Sequence, residues 1–312
     1  MTHSTSDECT SDAVRVFDGH RELLNSIAYR VLGSVNDAED AVQEAWLRWS
    51  TVDPAEVSNP RAFLVRVTTR LAIDQLRRAK TRRESYAGPW LPEPVLTGYD
   101  VAEDVALAES VSMAMLVVLE TLSPLERAVF VLREAFGMTY AEIGEVVGRK
   151  EEAVRQLARR ARDHVRERRS RFEADQTEQR RVTERFLEAA SSGDLEALMG
   201  VLAPGVTLVA DGGGRALAPR RPVRGAEKVA RFLLAVATEE KMARFLESIG
   251  AEPVPDLGVH PAQVNGGPGV VNTSEGRPIT ALVLDVADGA VQTIHLVANP
   301  EKLAGVRGIE AP

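Results

Sequence analysis

The chain has 312 residues, 44% of them hydrophobic and 5% aromatic, with a formal net charge of −8 and a single cysteine, Cys9. Its length predicts two or three soluble domains with proper cores. One thiol excludes an internal disulfide or a Cys-based zinc cage, and neither a long apolar run nor a basic start followed by an apolar stretch is present, which points to the cytoplasm with no membrane partner. The charge is uneven, however. Residues 61–83 hold eight basic side chains against Asp74 alone, and residues 149–171 hold ten against four acids. Two basic islands in an acidic chain are the footprint of a nucleic-acid binder.

A first domain is expected over 11–84. Val14, Phe17, Leu23, Leu24, Ile27, Ala28 and Val31 predict one helix ending at Gly33. A second should open at Asn36, with Glu39 at capping-box distance, and bury Ala38, Ala41, Val42, Ala45 and Trp49. Its other face offers Asp40, Gln43, Glu44 and Arg48, which suits either a basic partner helix or plain solvent. Asn59 as cap and Pro60 at the first helical position start a third helix. Phe63, Leu64, Val67, Leu71 and Leu76 are its expected inner face, and Arg61, Arg66, Arg70, Arg77, Arg78, Lys80, Arg82 and Arg83 its basic surface, able to follow a phosphate backbone. Asp74 suits an i±3 or i±4 ion pair with Arg70, Arg77 or Arg78.

A linker is expected over 85–101. YAGPWLPEPVLTGY, from Tyr86 to Tyr99, holds three prolines and two glycines, so it should run extended, and Trp90 beside Leu91 should seek burial on a neighbouring domain unless the segment is a plain spacer. A second helical domain is expected over 102–170. A helix from about Ala102 to Leu122 leads to Ser123 as cap, Pro124 at the first position and Glu126 completing a capping box. Gly137 to Val165 then reads as a helix-turn-helix. Thr139 and Glu142 form another capping box, and Ala141, Ile143, Gly144 and Val147 face inward. Gly148 is the stop, and Val154, Leu157, Ala158 and Ala161 are the buried stripe of the second helix. Arg155, Gln156, Arg159, Arg160 and Arg162 face outward, suited to phosphates and base edges, or to solvent in an ordinary helical bundle.

DAEDAVQEAWLRW, NPRAFLVRVTTRLAIDQLRR with its Asp-x-x-Arg-Arg ending, and the helix-turn-helix after LSPLERAVFVLREAFGMTYAEIGEVVG together resemble domains 2 and 4 of the extracytoplasmic-function (ECF) bacterial sigma factors. The resemblance implies core RNA polymerase and promoter DNA as partners. It implies that Asp40, Gln43 and Glu44 grip the coiled coil of the beta-prime subunit, with the beta subunit the other polymerase partner. Arg66, Arg70, Asp74, Arg77 and Arg78 would read and help melt the minus-ten element, and Arg155, Gln156, Arg159 and Arg160 would meet the minus-thirty-five element. Many ECF factors carry a hydroxyl residue near the start of the recognition helix, where this chain has Glu151, Glu152 and Ala153, so a base preference does not carry over. A helix-turn-helix transcription factor acting without polymerase is the alternative; the second basic island and the acidic helix before it count against that.

Residues 166–181 are charged throughout and predict a helical connector. A third domain is expected over 180–312. TERFLEAASSGDLEALMGVLAPGVTLVADG reads as helix, turn, helix and strand, and AEKVARFLLAVATEE as a further helix. AQVNGGPGVVNTS, RPITALVLDVAD and AVQTIHLVAN read as strands, with Asp288-Gly289 a hairpin turn between the last two. This order resembles the SnoaL-like cone, so the fold class expected for the whole chain is multidomain: two all-α sigma domains followed by an α+β SnoaL-like cone domain with a curved antiparallel sheet. The motifs WLPEP, DGGGR and NPEKL are similar to those of ECF factors with a fused SnoaL-like domain. A regulatory contact is expected between Trp90, Leu91 and Pro92 and the patches Asp211, Gly212, Gly213, Gly214 and Asn299, Pro300, Glu301, Lys302, Leu303. Asp211, Asp285 and His295 are the candidates for an acid or base inside the cone. No metal-ligand spacing, phosphate loop or nucleophile-base pair can be read, so no cofactor is implied. A regulatory domain with room for a small ligand is expected rather than an enzyme.

Overall fold

The computed structural model describes residues 12–97, 112–168, 176–251 and 256–306. Cys9, the helix start expected at 102–111, and residues 169–175 of the expected connector lie outside them. Two compact units divide the chain: Met1–Glu84 with Val118–Arg168, and Ser85–Val117 with Arg169–Pro312.

The first unit is all helical. The single opening helix expected from the apolar pattern is two, α1 (12–18) and α2 (Arg21–Leu32), because the chain turns at Gly19 and His20. Gly33, in the left-handed region, ends α2 and delivers an extended Ser34, whose hydroxyl accepts from the Asp37 N–H at 3.1 Å. Ser34 therefore caps α3 (Val35–Trp49), and the expected cap Asn36 lies inside its first turn. The inner stripe of Ala38, Ala41, Val42, Ala45 and Trp49 is buried as expected, and the Trp49 indole N–H donates to the Ala13 carbonyl at 2.8 Å, tying α1 to α3. Helix α4 (Pro60–Arg83) starts on Asn59 as expected, with Asn59 Oδ1 accepting from Ala62 N–H at 3.0 Å. Its buried face is rotated from the expected one: Val65, Thr68, Thr69, Ala72 and Ile73 are inside with Leu64 and Leu76, whereas Phe63, Val67 and Leu71 are half-buried. The reason is that α4 is covered on two sides, by α2 and α3 and by the later helices α6 and α7 of this unit.

Helix α5 (Met113–Leu119) crosses the boundary between the units in the chain, and the later helices of the first unit are α6 (Pro124–Glu134), α7 (Tyr140–Val147) and α8 (Glu151–Arg168). Both expected capping boxes form, at Ser123 with Glu126 and at Thr139 with Glu142. Inside α7, Ile143, Gly144 and Val146 are buried, while Ala141, expected inward, is exposed. A methyl group at Gly144 would stand 2.7 Å from the Arg149 carbonyl, so the turn between α7 and α8 closes only over a bare backbone.

The second unit sets helices on a curved sheet. Helices α9 (Gln176–Ser192) and α10 (Leu195–Val201) lead into β1 (Leu202–Asp211), and α11 (Ala226–Val236) and α12 (Glu239–Ser248) follow the short β2 (Val223–Arg224). Strands β3 (Leu257–Val264), β4 (Gly267–Ser274), β5 (Arg277–Ala287) and β6 (Ala290–Val297) and the short α13 (Pro300–Leu303) complete it. The sheet order is β2-β1-β6-β5-β4-β3. All neighbours are antiparallel except β1 and β6, so the sheet is mixed where an antiparallel one was expected. The exception follows from connectivity, since helices and hairpins separate β1 from β6 and let it return in the same direction. Irregular register in β1, in β4 against β5 and in β5 against β6 supplies the bend. Asp288-Gly289 makes the expected hairpin, with φ of 51° and 70°, and Asn265-Gly266 makes another inside the stretch expected as one strand.

Candidate functional site

Three helix faces hold the residues expected to meet polymerase and DNA. On α3, Asp40 and Gln43 are exposed and Glu44 is half-exposed, loosely paired with Arg48 at 3.3 Å. Leu47, on the same face one turn on, is 54% exposed. Sequence reading passed over it, although its i+3 and i+4 spacing from Glu44 and Gln43 was visible. The face is thus acidic with an uncovered apolar residue at its C-terminal edge, the composition that suits docking of a basic, partly apolar helix.

On α4 the basic residues divide. Asp74 takes the ion pair expected of it, with Arg77 at 2.8 Å, both side chains well exposed. Arg77 and Arg78 stand at the surface, and the Arg66 guanidinium lies 5.5 Å from the centre of the Phe63 ring. Arg70 is engaged elsewhere: its Nε donates to the Val146 carbonyl at 2.7 Å and its Nη2 to the Glu145 carbonyl at 3.1 Å, closing the open end of α7. Lys80 donates to the carbonyls of Glu120, at 3.1 Å, and Leu122. Arg83 and Arg127 both bond the Glu120 carboxylate, and Arg127, wholly buried, also donates from Nε to the Arg30 carbonyl at 3.0 Å. Burial pulls the pKa values of Lys80 and Arg83 below their usual ranges, against the pull of Glu120. Sequence reading missed this network, because Glu120, Arg127 and Arg30 come together only in the fold.

On α8 the buried stripe is the expected one, extended by Val165. The opposite face presents Arg155, Gln156, Arg159 and Arg160 to solvent. Arg155 pairs with Glu151 at 2.5 Å, which raises its pKa, and lies 5.1 Å from the centre of the Tyr140 ring. Arg159 reaches Asp163 at 3.8 Å and Arg160 reaches Glu126 at 3.5 Å. Such exposed pairs contribute only tenths of a kcal/mol, so a phosphate could replace the carboxylate at little cost.

Within the second unit, the Trp90 segment meets the two C-terminal patches, and the centre of the contact is Asp211. This carboxylate is fully buried at the end of β1. Its Oδ1 accepts from the Tyr86 hydroxyl at 2.6 Å and the Gly213 N–H at 3.0 Å. Its Oδ2 accepts from the Leu91 N–H at 2.8 Å and from Lys302 Nζ at 2.7 Å. Lys302 also donates to the Leu91 carbonyl and lies 3.9 Å from the centre of the Trp90 ring. Asn299 caps α13 through Oδ1 and donates from Nδ2 to the Tyr86 hydroxyl at 3.0 Å. The glycines are explained by this crowding: a Cβ at Gly213 would overlap the Asn299 carboxamide, and one at Gly214 would stand 2.9 Å from the Ala87 Cβ. Burial, and then the bond to Asp211, raises the Tyr86 pKa. Leu91 and Leu303 join Val264, Val271, Val283 and Val297 in one apolar cluster, while Pro92 is buried. Leu96 bridges to Val264, and Thr97 N–H donates to the Gln263 carbonyl at 2.9 Å, so the linker adds a short strand segment at β3. Arg215 and Glu301 pair at 2.6 Å on the surface, and Pro300 takes the first position of α13.

The three acid or base candidates are elsewhere than the cone cavity. Asp211 is held in this clasp; His295 Nε2 meets Asp285 Oδ2 at 2.8 Å, and neither residue lines the cavity. Among the described residues no cluster of three or more His, Cys, Asp and Glu side chains forms a metal site, and no helix is long and apolar enough to cross a membrane.

Residues 16–82 match the model of Sigma-70 region 2, and residues 112–165 that of Sigma-70, region 4. The chain is 41% identical over 297 residues to the ECF RNA polymerase sigma factor SigJ of Mycobacterium tuberculosis, covering 94% of this chain and 93% of that protein. It is 33% identical to the probable ECF RNA polymerase sigma factor SigI of the same species, over 92% and 93% of the two chains. The crystal structure of the M. tuberculosis SigJ matches it with a TM-score of 0.72 and 38% identity, covering 95% of this chain and all of the other. Two sigma regions in order, full-length similarity and the same architecture agree: the chain belongs to the extracytoplasmic-function sigma factors of RNA polymerase.

Proposed function

We propose that this sigma factor binds core RNA polymerase through Asp40, Gln43 and Glu44, with Leu47 at the edge of that face. It reads the upstream promoter element with Arg155, Gln156, Arg159 and Arg160, and the downstream element with Arg66, Arg70, Asp74, Arg77 and Arg78. Arg70 then has to exchange the carbonyls of residues 145 and 146 for DNA, so reading the downstream element goes with releasing the end of α7. The C-terminal domain sets the activity by holding the linker, and a small ligand in that domain is the natural signal.

The observation that carries this reading is the Asp211 clasp. A carboxylate wholly removed from water, meeting an ammonium, a phenol and two backbone N–H groups, is costly to leave half-made. Its donors come from the linker, the loop after β1 and α13, so the linker is either held or fully released. The linker lies in the chain between the two DNA-binding regions, and holding it restricts how they can separate.

The test is run-off transcription from one cognate promoter by three proteins at matched soluble concentration: full length, cut before Asn299, and cut after Arg171. The first cut removes Asn299 and Lys302 from the clasp and should raise transcript; the second should lower it if the domain also orients the DNA-binding pair. Three equal activities would make the C-terminal domain a passenger.

A further inference from the structure

Helices α9, α11 and α12 and the facing side of the sheet enclose a cavity of about 540 Å³ that the clasp does not use. That volume is in the range that takes one drug- or lipid-sized molecule. Phe186, Phe232, Met242 and Phe245 form its walls, and Val270 and Leu282 its floor. The interior polar pair is bonded to itself, Asn272 Nδ2 donating to Thr280 Oγ1 at 2.8 Å, and the lining around it is mainly apolar, so the deep part of the site asks for apolar surface. Leu257 and Val259 also line the cavity, yet stand 44% and 63% exposed. Apolar side chains left in water beside a hollow apolar core mark a binding site rather than a finished one.

Among the described residues, the charged side chains that line the cavity are Lys241 and Arg244, three apart on α12, and no carboxylate lines it. Glu240 precedes Arg244 by four residues, the spacing that pairs Arg231 with Glu227 and Arg180 with Glu184 in this domain. Arg244 nevertheless faces the cavity, and among the described residues neither it nor Lys241 is ion-paired. The hollow therefore combines an apolar body with a cationic edge.

We propose that this cone is a binding site for one hydrophobic carboxylate of the long-chain fatty acid class. The chain lies among Phe186, Phe232, Phe245 and Leu282, and the carboxylate meets Lys241 and Arg244. Occupancy also biases the linker clasp. Ala298 lines the cavity, and its N–H and that of Asn299 donate to the Asp211 carbonyl at 2.8 and 3.0 Å, so one stretch of backbone serves both the cavity wall and the clasp. The coupling rests on the clasp reading given above; the binding site does not.

The test uses the full-length chain and palmitate below its aggregation concentration, followed by calorimetry, with 1-hexadecanol and butyrate as controls. One palmitate per chain should bind saturably and butyrate should not. The double substitution Lys241→Gln with Arg244→Gln, on an exposed helix face and with the circular dichroism of the parent, should weaken palmitate about tenfold, to the level of hexadecanol. No saturable binding by the folded chain overturns the site. Equal affinity for palmitate and hexadecanol overturns its cationic edge, and self-association that palmitate leaves undisturbed means that a second copy covers the mouth. In a 5-fluorotryptophan sample, the Trp90 fluorine resonance, assigned by Trp90→Phe, should shift on saturation with palmitate. Stoichiometric binding with an unmoved resonance overturns the coupling alone, and binding by a chain that fails in run-off transcription faults the promoter reading and not this site.

Discussion

Helices α4 and α8 carry similar basic sequences and use them in opposite ways. Along α4, Arg70, Lys80 and Arg83 point their donors at backbone carbonyls and a half-buried carboxylate of the same unit. Along α8, Arg155, Arg159 and Arg160 pair with exposed or half-buried carboxylates at 2.5 to 3.8 Å, and Arg155 also lies over the Tyr140 ring. A guanidinium bonded to a carbonyl inside a fold has lost water that it does not recover on binding DNA, whereas one in an exposed ion pair exchanges partners at nearly constant hydration. The count of arginines in a segment therefore measures its capacity for DNA less well than the number with no structural task. On α4 those include Arg77 and Arg78, beside Asp74.

The largest effect should come from breaking the structural side of this contrast. Glu120→Ala leaves Arg127 buried without its carboxylate and removes the acid partner of Arg83, and should cost about 3–5 kcal/mol in urea unfolding of the full-length chain. A loss under about 1 kcal/mol would mean that the network is solvated and that α4 is freer than described. Arg70→Ala should cost less, about 1–2 kcal/mol, for two carbonyls at the end of α7 returned to water. If it lowers open-promoter formation as well, Arg70 serves both structure and reading; if stability alone changes, it leaves the DNA-binding set.

Much of this was legible in sequence, because it is local. Capping boxes at Ser123 and Thr139, the Asn59-Pro60 start and the buried stripe of α8 depend on residues within one or two turns. The contact of the linker with DGGGR and NPEKL was legible as motifs, but not that Asp211 is its centre, since the carboxylate draws on Tyr86, Leu91 and Lys302 from distant parts of the chain. For the same reason the Glu120 network and the parallel pairing of β1 with β6 were not visible. Asn36 misled as a cap because Ser34, two residues earlier, also fits, and only the left-handed turn at Gly33 decides between them.

A third prediction concerns pH and the linker. Tyr86 has a raised folded-state pKa, so its protonated form stabilises the clasp. That contribution is fully present below the unfolded tyrosine value, about 10, and is lost as pH rises above it toward the folded value. Tyr86→Phe should remove this alkaline loss and lower stability at neutral pH by about 1 kcal/mol, for a hydrogen bond withdrawn from a buried carboxylate. Ultraviolet titration at the phenolate band should show one tyrosine fewer ionising near pH 10 in the parent than in the unfolded chain. An identical titration in parent and variant, apart from the missing residue's ordinary step, would mean that Tyr86 is open to water.

The smallest effect on stability should fall on α8, and it is the one that sharpens the contrast most. Arg155→Ala and Arg159→Ala each remove a side chain whose partner is a surface carboxylate, so unfolding should move by no more than about 0.5 kcal/mol. Occupancy of the upstream promoter element should nevertheless fall by about 1–3 kcal/mol for a side chain reading a base edge. A side chain bound only to phosphate would weaken binding uniformly across sequences and flatten the salt dependence. Footprints across a salt series separate these cases. Equal footprints for parent and variants at every salt concentration would show that the exposed basic face of α8 is solvated surface, and the contrast with α4 would then concern stability alone.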